Sequence, residues 1–119
     1  MYEEARHEPL IIAEWNEEVA RTAIERIVQD THARFDSSKL WPIHPLDQFG
    51  ADLPESFKML YFGAAGVIWA LRYLNRVGAA RIERNYAMTL DRLAEQNRKE
   101  MKLSQREAAS FLMGDVGIL

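Results

Sequence analysis

The segment Trp41-Pro42-Ile43-His44-Pro45-Leu46-Asp47 brings an indole, an imidazole and a carboxylate within seven positions of one another. Two of the chain's four prolines lie inside it and bias Trp41 and His44 towards extended backbone, which makes it a stiff loop. Trp41, His44 and Asp47 are therefore read as candidates for contact with a peptide substrate, because rigidly held loops carry function more often than helices do. The competing reading is an ordinary surface loop in which Trp41 anchors the segment to the core.

Other residue types offer less. There is no cysteine, so disulfides, thiolate nucleophiles and cysteine metal ligands are excluded from this chain. The three histidines, His7, His32 and His44, lack the i,i+4 pairing of a metal site, and no metal is assigned to them. Glu3-Glu4 and Glu17-Glu18 are neighbours in sequence, and neighbours on a helix do not face each other, so they read as solvated charges. Asp115 lies beside a glycine at the head of an apolar run, where complementing a helix dipole accounts for it better than catalysis does. Walker A, G-x-S-x-G and H-E-x-x-H patterns are absent. No residue is assigned a catalytic role.

Composition narrows the class further. At 119 residues the chain has room for one core. Apolar residues make up 48% and charged residues 28%, ordinary values for a globular protein. Fifteen basic and 18 acidic side chains give a net charge of −3 without a basic stripe, which argues against a nucleic-acid partner. The first eight residues carry charges of both signs and no apolar stretch of a signal peptide. The longest apolar run, Met59 to Leu71, is thirteen residues, short of the roughly 20 that a membrane span needs. The expectation is a cytoplasmic protein with no membrane partner.

The elements that must position these residues read as helices. Ile12, Trp15, Val19, Ala23 and Ile27 recur at steps of three and four, flanked by Ile11, Ala20, Ile24 and Val28, with Glu17, Arg21 and Glu25 opposite, which predicts an amphipathic helix over roughly Pro9 to Arg34. A loop follows over 35–55, with Pro42, Pro45, Pro54 and Gly50. Ser56 to Val77 is the second helical stretch, apolar on every side between Leu60 and Leu71, with Trp69 and Tyr73 read as core. Its packed part is expected to start near Gly63, and Gly78 is placed to close it. Ala79 to Met101 reads as a half-exposed helix with Ile82, Tyr86, Leu90, Leu93 and Met101 on one stripe. Ser104-Gln105-Arg106-Glu107 matches a capping box and announces another turn of helix. No segment shows the period-2 alternation of a half-buried strand, so the fold class is all-α.

The glycines supply the organising pattern. Leu60-Tyr61-Phe62-Gly63-Ala64-Ala65-Gly66-Val67-Ile68 and Phe111-Leu112-Met113-Gly114-Asp115-Val116-Gly117-Ile118-Leu119 are offset by 114 − 63 = 117 − 66 = 51 residues. Seven of the nine positions keep their class. A period near fifty residues marks a repeat architecture. A glycine in a helix interior costs roughly 1 kcal/mol relative to alanine. Gly63, Gly66, Gly114 and Gly117 are therefore read as structural, at helix starts where another backbone passes close.

These two motifs resemble the Gly-x-x-Gly signatures that open the inner helices of the lanthionine synthetase C-like (LanC-like) family, and the resemblance covers Trp41 to Leu119. It implies helical hairpins of an α/α toroid, with inner-helix motifs at 60–71 and 111–119, and it implies that residues 1–119 are the N-terminal part of such a domain in a truncated chain. The family activity is zinc-dependent addition of a cysteine thiol to a dehydroamino acid, forming the thioether rings of lanthipeptides. Zinc held by two cysteines and a histidine keeps the thiol as the nucleophilic thiolate. Those ligands belong to the family's C-terminal half and match no residue here, so no cofactor is assigned to this chain, and it is expected to be inactive alone. Two other readings stand beside this one: a non-catalytic α-helical repeat scaffold that binds peptides or a partner protein, and a fragment of an α/α-toroid carbohydrate enzyme.

A physical expectation follows from the pattern. An inner helix apolar on all sides needs more neighbours than these residues supply. At about 25 cal/mol per Å² of exposed apolar surface, several uncovered side chains cost several kcal/mol. Self-association through that surface, or marginal stability, is expected.

Overall fold

A computed structural model describes residues 12–48, 53–102 and 104–119. It contains four α-helices: α1 (Glu17–Ala33), α2 (Ala64–Arg76), α3 (Ala87–Glu100) and the single turn α4 (Gln105–Ala108). A 3-10 turn, Pro45–Asp47, interrupts the long loop. Among the described residues there is no strand, only an isolated bridge between Asp36 and Leu40. The chain is all-α, as the periodicities require.

Local chemistry sets the ends of each helix. α1 begins at Glu17, not near Pro9, because the Asn16 side chain accepts a hydrogen bond from the Val19 amide at 3.0 Å and so caps the helix there. Residues 12–16 are not helical, and Pro9, Ile11, His7, Glu3-Glu4 and Gly50 lie outside the described residues. α2 starts directly after Gly63, as expected, but residues 56–63 form turns rather than its first helical turns. It closes in a Schellman motif: Gly78, at φ +71°, donates to the Asn75 carbonyl at 3.2 Å, and Ala79 to that of Leu74 at 2.9 Å. α3 is shorter than predicted at its start. The Asn75 carboxamide accepts from the Ile82 amide and the Asn85 carboxamide from that of Ala87, so 79–86 is held by side chains instead of a helical ladder. Ser104 and Glu107 form the full capping box at the head of α4.

The core is built from Val28, Leu40, Ala64, Ala65, Ile68, Leu71, Tyr86 and Leu93, with Ile24, Phe35, Trp41 and Leu90 packed against it. The core faces of α1 and α2 agree with the expected ones only in part. Α1 buries Val28 and half-buries Ala20 and Ile24, while Ile12, Trp15, Val19 and Ile27 are exposed. The packed face is the flank of the predicted stripe, because among the described residues the core meets α1 at Ile24 and Val28, where Phe35, Leu40 and Tyr86 pack. On α2, Ala64, Ala65, Ile68 and Leu71 are buried, but Trp69 and Tyr73 are exposed and stack on one another, centroids 5.5 Å apart. The expected uncovered apolar surface is present, and it carries the aromatic residues assigned to the core.

The second glycine motif does not open a helix within the described residues. Residues 111–119 are turns, with isolated i→i−4 bonds from the Gly114 amide to the Ser110 carbonyl at 3.0 Å and from the Leu119 amide to the Asp115 carbonyl at 3.1 Å. Its backbone nevertheless repeats the first motif. Ala64 donates to the Phe57 carbonyl at 2.9 Å and Asp115 to that of Ala108 at 2.8 Å, each spanning seven residues, and the two bonds are 115 − 64 = 51 residues apart. Side chains are excluded at the same places. A Cβ on Gly66 would strike the Leu60 carbonyl, and one on Gly117 would strike that of Phe111, in both cases the carbonyl six residues back.

Candidate functional site

The proline-stiffened loop folds over the start of α2 and encloses a small cleft. Asp36 sets the loop's direction: its carboxylate accepts from the Ser38 and Lys39 amides at 2.7 Å and from the Ser38 hydroxyl. Those bonds hold its pKa below the usual carboxylate value, the Ser38 side chain contributing most. The turn places Leu40 at φ +62°, a left-handed conformation costing a leucine about 1–2 kcal/mol, offset by burying its side chain.

Trp41 is held from one side. Its indole N–H donates to the Thr31 carbonyl at the end of α1, 2.7 Å away, and its ring lies 5.0 Å from Phe35 and 5.8 Å from Tyr86. The Tyr86 hydroxyl pairs with His32 Nδ1 at 2.8 Å, and burial raises the pKa of the phenol. Trp41 is thus an anchor, and it also lines the cleft, so both of its sequence readings have a structural counterpart.

The cleft is about 170 Å³ and brings Trp41, His44 and Asp47 together against Phe57, Phe62, Gly63 and Val67. His44 caps the 3-10 turn through Nδ1, which accepts from the Leu46 amide at 3.2 Å. The neutral ring therefore carries its proton on Nε2, a donor suited to a peptide carbonyl. Asp47 sits at the end of the same turn, half-buried, its amide bonded to the His44 carbonyl at 2.8 Å. Phe57 is buried, and its ring meets that of Phe62 edge to face at 5.0 Å. An aromatic wall with an imidazole and a carboxylate at the rim suits one side chain of a peptide; drug-sized ligands occupy cavities of about 300 Å³ or more. Gly63 forms part of the wall, and a Cβ there would lie 2.6 Å from the Met59 carbonyl.

Phe57 and Phe62 were not singled out from the sequence. Phe62 stands inside the glycine motif as part of its lead-in and Phe57 three residues before it, but reading Ser56 onward as helix gave neither a place in the loop's cleft. Asp115, weighed from the sequence, and a second buried charge lie elsewhere. Asp115 is buried, accepts from Arg98 Nε at 2.8 Å, and stands 3.5 Å from the Asn97 carboxamide, so its charge meets a guanidinium from α3. Lys58, also buried, pairs with Glu100 and donates to the Ser56 carbonyl at 2.9 Å. Both acids are thus tied up in ion pairs, and neither lines the cleft.

Zinc, the metal of the resembled family, does not fit the donors present. The chain has no thiolate to offer, His32 and His44 each commit Nδ1 to a hydrogen bond, and no three potential ligands converge among the described residues. Among those residues, no helix is long and apolar enough to cross a membrane. Comparison of the chain with protein-family models, curated proteins and solved structures found no match.

Proposed function

We propose that this chain is part of a lanthionine synthetase C-like α/α toroid of the cytoplasm. In this reading it supplies helical scaffold and a peptide-contacting wall for thioether formation, and none of the chemistry. The observation that carries the proposal is the pairing of the two glycine motifs. They share a seven-residue backbone bond and the same excluded Cβ positions, and they touch through a bond from the Tyr61 amide to the Leu112 carbonyl at 3.1 Å. In this reading the two motifs belong to neighbouring repeats, which meet here through equivalent residues. In the family reaction a cysteine thiolate adds to Cβ of dehydroalanine and a proton is delivered to Cα, so the product is an isomer of the substrate. The cleft at Trp41, His44 and Asp47 would hold one substrate side chain, with His44 Nε2 donating to the peptide backbone.

The test is titration of the protein with a peptide carrying one cysteine and one dehydroalanine, read by tryptophan emission. Saturable binding is expected, weakened about tenfold, or roughly 1.4 kcal/mol, by His44→Ala or Asp47→Ala with the helical circular dichroism unchanged. The bound peptide should keep an alkylatable thiol, because this chain lacks the groups that activate it. Absence of saturable binding overturns the peptide-wall assignment. Equal binding of a peptide with alanine at both reactive positions transfers the site to a general peptide-interaction module.

A further inference from the structure

Two surfaces of this chain are unpartnered and complementary. The first is a groove of about 550 Å³ along α2, lined by Ile68, Trp69, Arg72, Tyr73, Arg76 and Leu90 among others. Trp69 and Tyr73 stack at its edge, their planes 11° apart, and the Arg76 guanidinium lies 5.6 Å from the Tyr73 ring centroid. Among the described residues neither Arg72 nor Arg76 has an acidic partner, and no acidic side chain lines the groove. Two unpaired guanidiniums thus flank an aromatic and aliphatic surface in a chain whose net charge is −3.

The second surface is the segment Ile12-Ala13-Glu14-Trp15-Asn16-Glu17-Glu18-Val19, which has three carboxylates and no basic residue. Its apolar side chains face solvent: Ile12 is 97% exposed and Trp15 82%. Glu17 is held by Arg21, but Glu14 and Glu18 have no cationic partner among the described residues. The segment therefore offers what the groove lacks: two free carboxylates with a tryptophan between them in sequence.

We propose that the chain associates head to tail, residues 12–19 of one copy docking in the α2 groove of a second. Glu14 and Glu18 neutralise Arg72 and Arg76, and Trp15 and Ile12 cover the aromatic edge. Tryptophan and arginine are the residues that most often dominate such interfaces. The contact is heterologous, one patch meeting a different patch, so a pair leaves one groove and one segment free at its two ends, and assemblies grow until they close. The proposal does not depend on the functional reading above, and it says which surface covers the apolar side of α2.

Sedimentation velocity of the intact chain over micromolar concentrations tests it. Concentration-dependent association that weakens with added salt is expected. The double variants Arg72→Glu/Arg76→Glu and Glu14→Lys/Glu18→Lys should each associate at least about tenfold more weakly, a loss of roughly 1.4 kcal/mol or more. Their equimolar mixture should associate again, since each reversed surface then meets an opposite charge. Circular dichroism of each variant checks that the helices persist. A parent chain that stays monomeric overturns the proposal, as do double variants that associate like the parent. Failure of the mixture to recover, with both variants folded, overturns it as well. An unrelated acidic peptide that binds the groove while the chain stays monomeric assigns the groove to another partner and also overturns it.

Discussion

The Tyr61 amide donates to the Leu112 carbonyl at 3.1 Å, and the two residues are 112 − 61 = 51 positions apart, the interval of the glycine repeat. Residues in equivalent places of the two glycine motifs are therefore joined to each other. The contact is close because Gly117 has no side chain: a Cβ there would lie 3.1 Å from Leu60 Cβ and Cδ2, besides meeting the Phe111 carbonyl. Glycine at the second position of each pair allows the chain to cross its own backbone. The first pair ends the crossing in α2; the second ends in turns that bury Asp115 and half-bury Ile118.

Gly66→Ala and Gly117→Ala should therefore each destabilise the protein, by about 2–3 kcal/mol, because a rigid carbonyl has to move in each. Gly78→Ala is the control. Open space surrounds that position, and the cost of about 1–2 kcal/mol comes from its φ of +71° alone. Chemical denaturation of the three variants checks the order. Equal losses at all three would remove the close-approach argument.

What was legible in the sequence follows from how far each signal reaches. Gly63, Gly78 and the Ser104–Glu107 box act through neighbours a few residues away, and the structure uses all of them as helix ends. The loop segment Trp41 to Asp47 was legible for the same reason, since prolines act locally. The packed face of α1 was not. Its sequence offers Val19 and Ile27 as readily as Ile24 and Val28, and the choice is made by Phe35, Leu40 and Tyr86, which approach from later in the chain. The helix starts were displaced by carboxamides, Asn16 for α1 and Asn75 with Asn85 for α3, which look in sequence like ordinary polar positions. Half of the cleft was missed likewise, because Phe57 and Phe62 line it through turns that a helical reading hides.

Asp115→Ala should cost about 2–3 kcal/mol. It removes the acceptor of the Arg98 guanidinium and one of the two acceptors of the Asn97 carboxamide, which keeps the Met113 carbonyl at 3.3 Å. Arg98→Ala should cost at least as much, because it strands the buried Asp115 carboxylate without its cation, whereas the guanidinium left by Asp115→Ala is 65% exposed and reaches water. Combining the two should cost less than the sum of the single changes, measurable as a double-mutant cycle in urea. Strict additivity would mean that Asp115 is held by the backbone alone.

Tyr86→Phe should cost about 1 kcal/mol at neutral pH, the worth of its hydrogen bond to His32. Its effect should shrink in alkali. Burial raises the phenol's pKa in the folded chain, so the unfolded chain loses that proton first, at its ordinary value near 10. The parent is stable with respect to this group below that pH and loses stability as pH rises towards the higher folded pKa. The phenylalanine variant has no phenol to titrate. Melting curves taken from neutral pH into alkali should therefore converge, and curves that stay parallel would show that Tyr86 ionises as freely in the fold as outside it.

Asp36 gives the opposite sign. Its carboxyl is held below the ordinary range by the Ser38 side chain first and then by the Lys39 and Ser38 amides. A lowered folded pKa contributes stability that is fully present above the unfolded value near 3.9 and is lost as pH falls through the folded one. The turn it closes carries Leu40 at positive φ and leads directly into Trp41, so protonation should loosen the wall of the cleft before the helices melt. Acid titration of the parent should change tryptophan emission ahead of the loss of helical circular dichroism. Asp36→Asn keeps one acceptor oxygen and removes the charge, so the early emission change should vanish in it. Persistence of that change in the variant would assign it to another carboxylate and free the loop from Asp36.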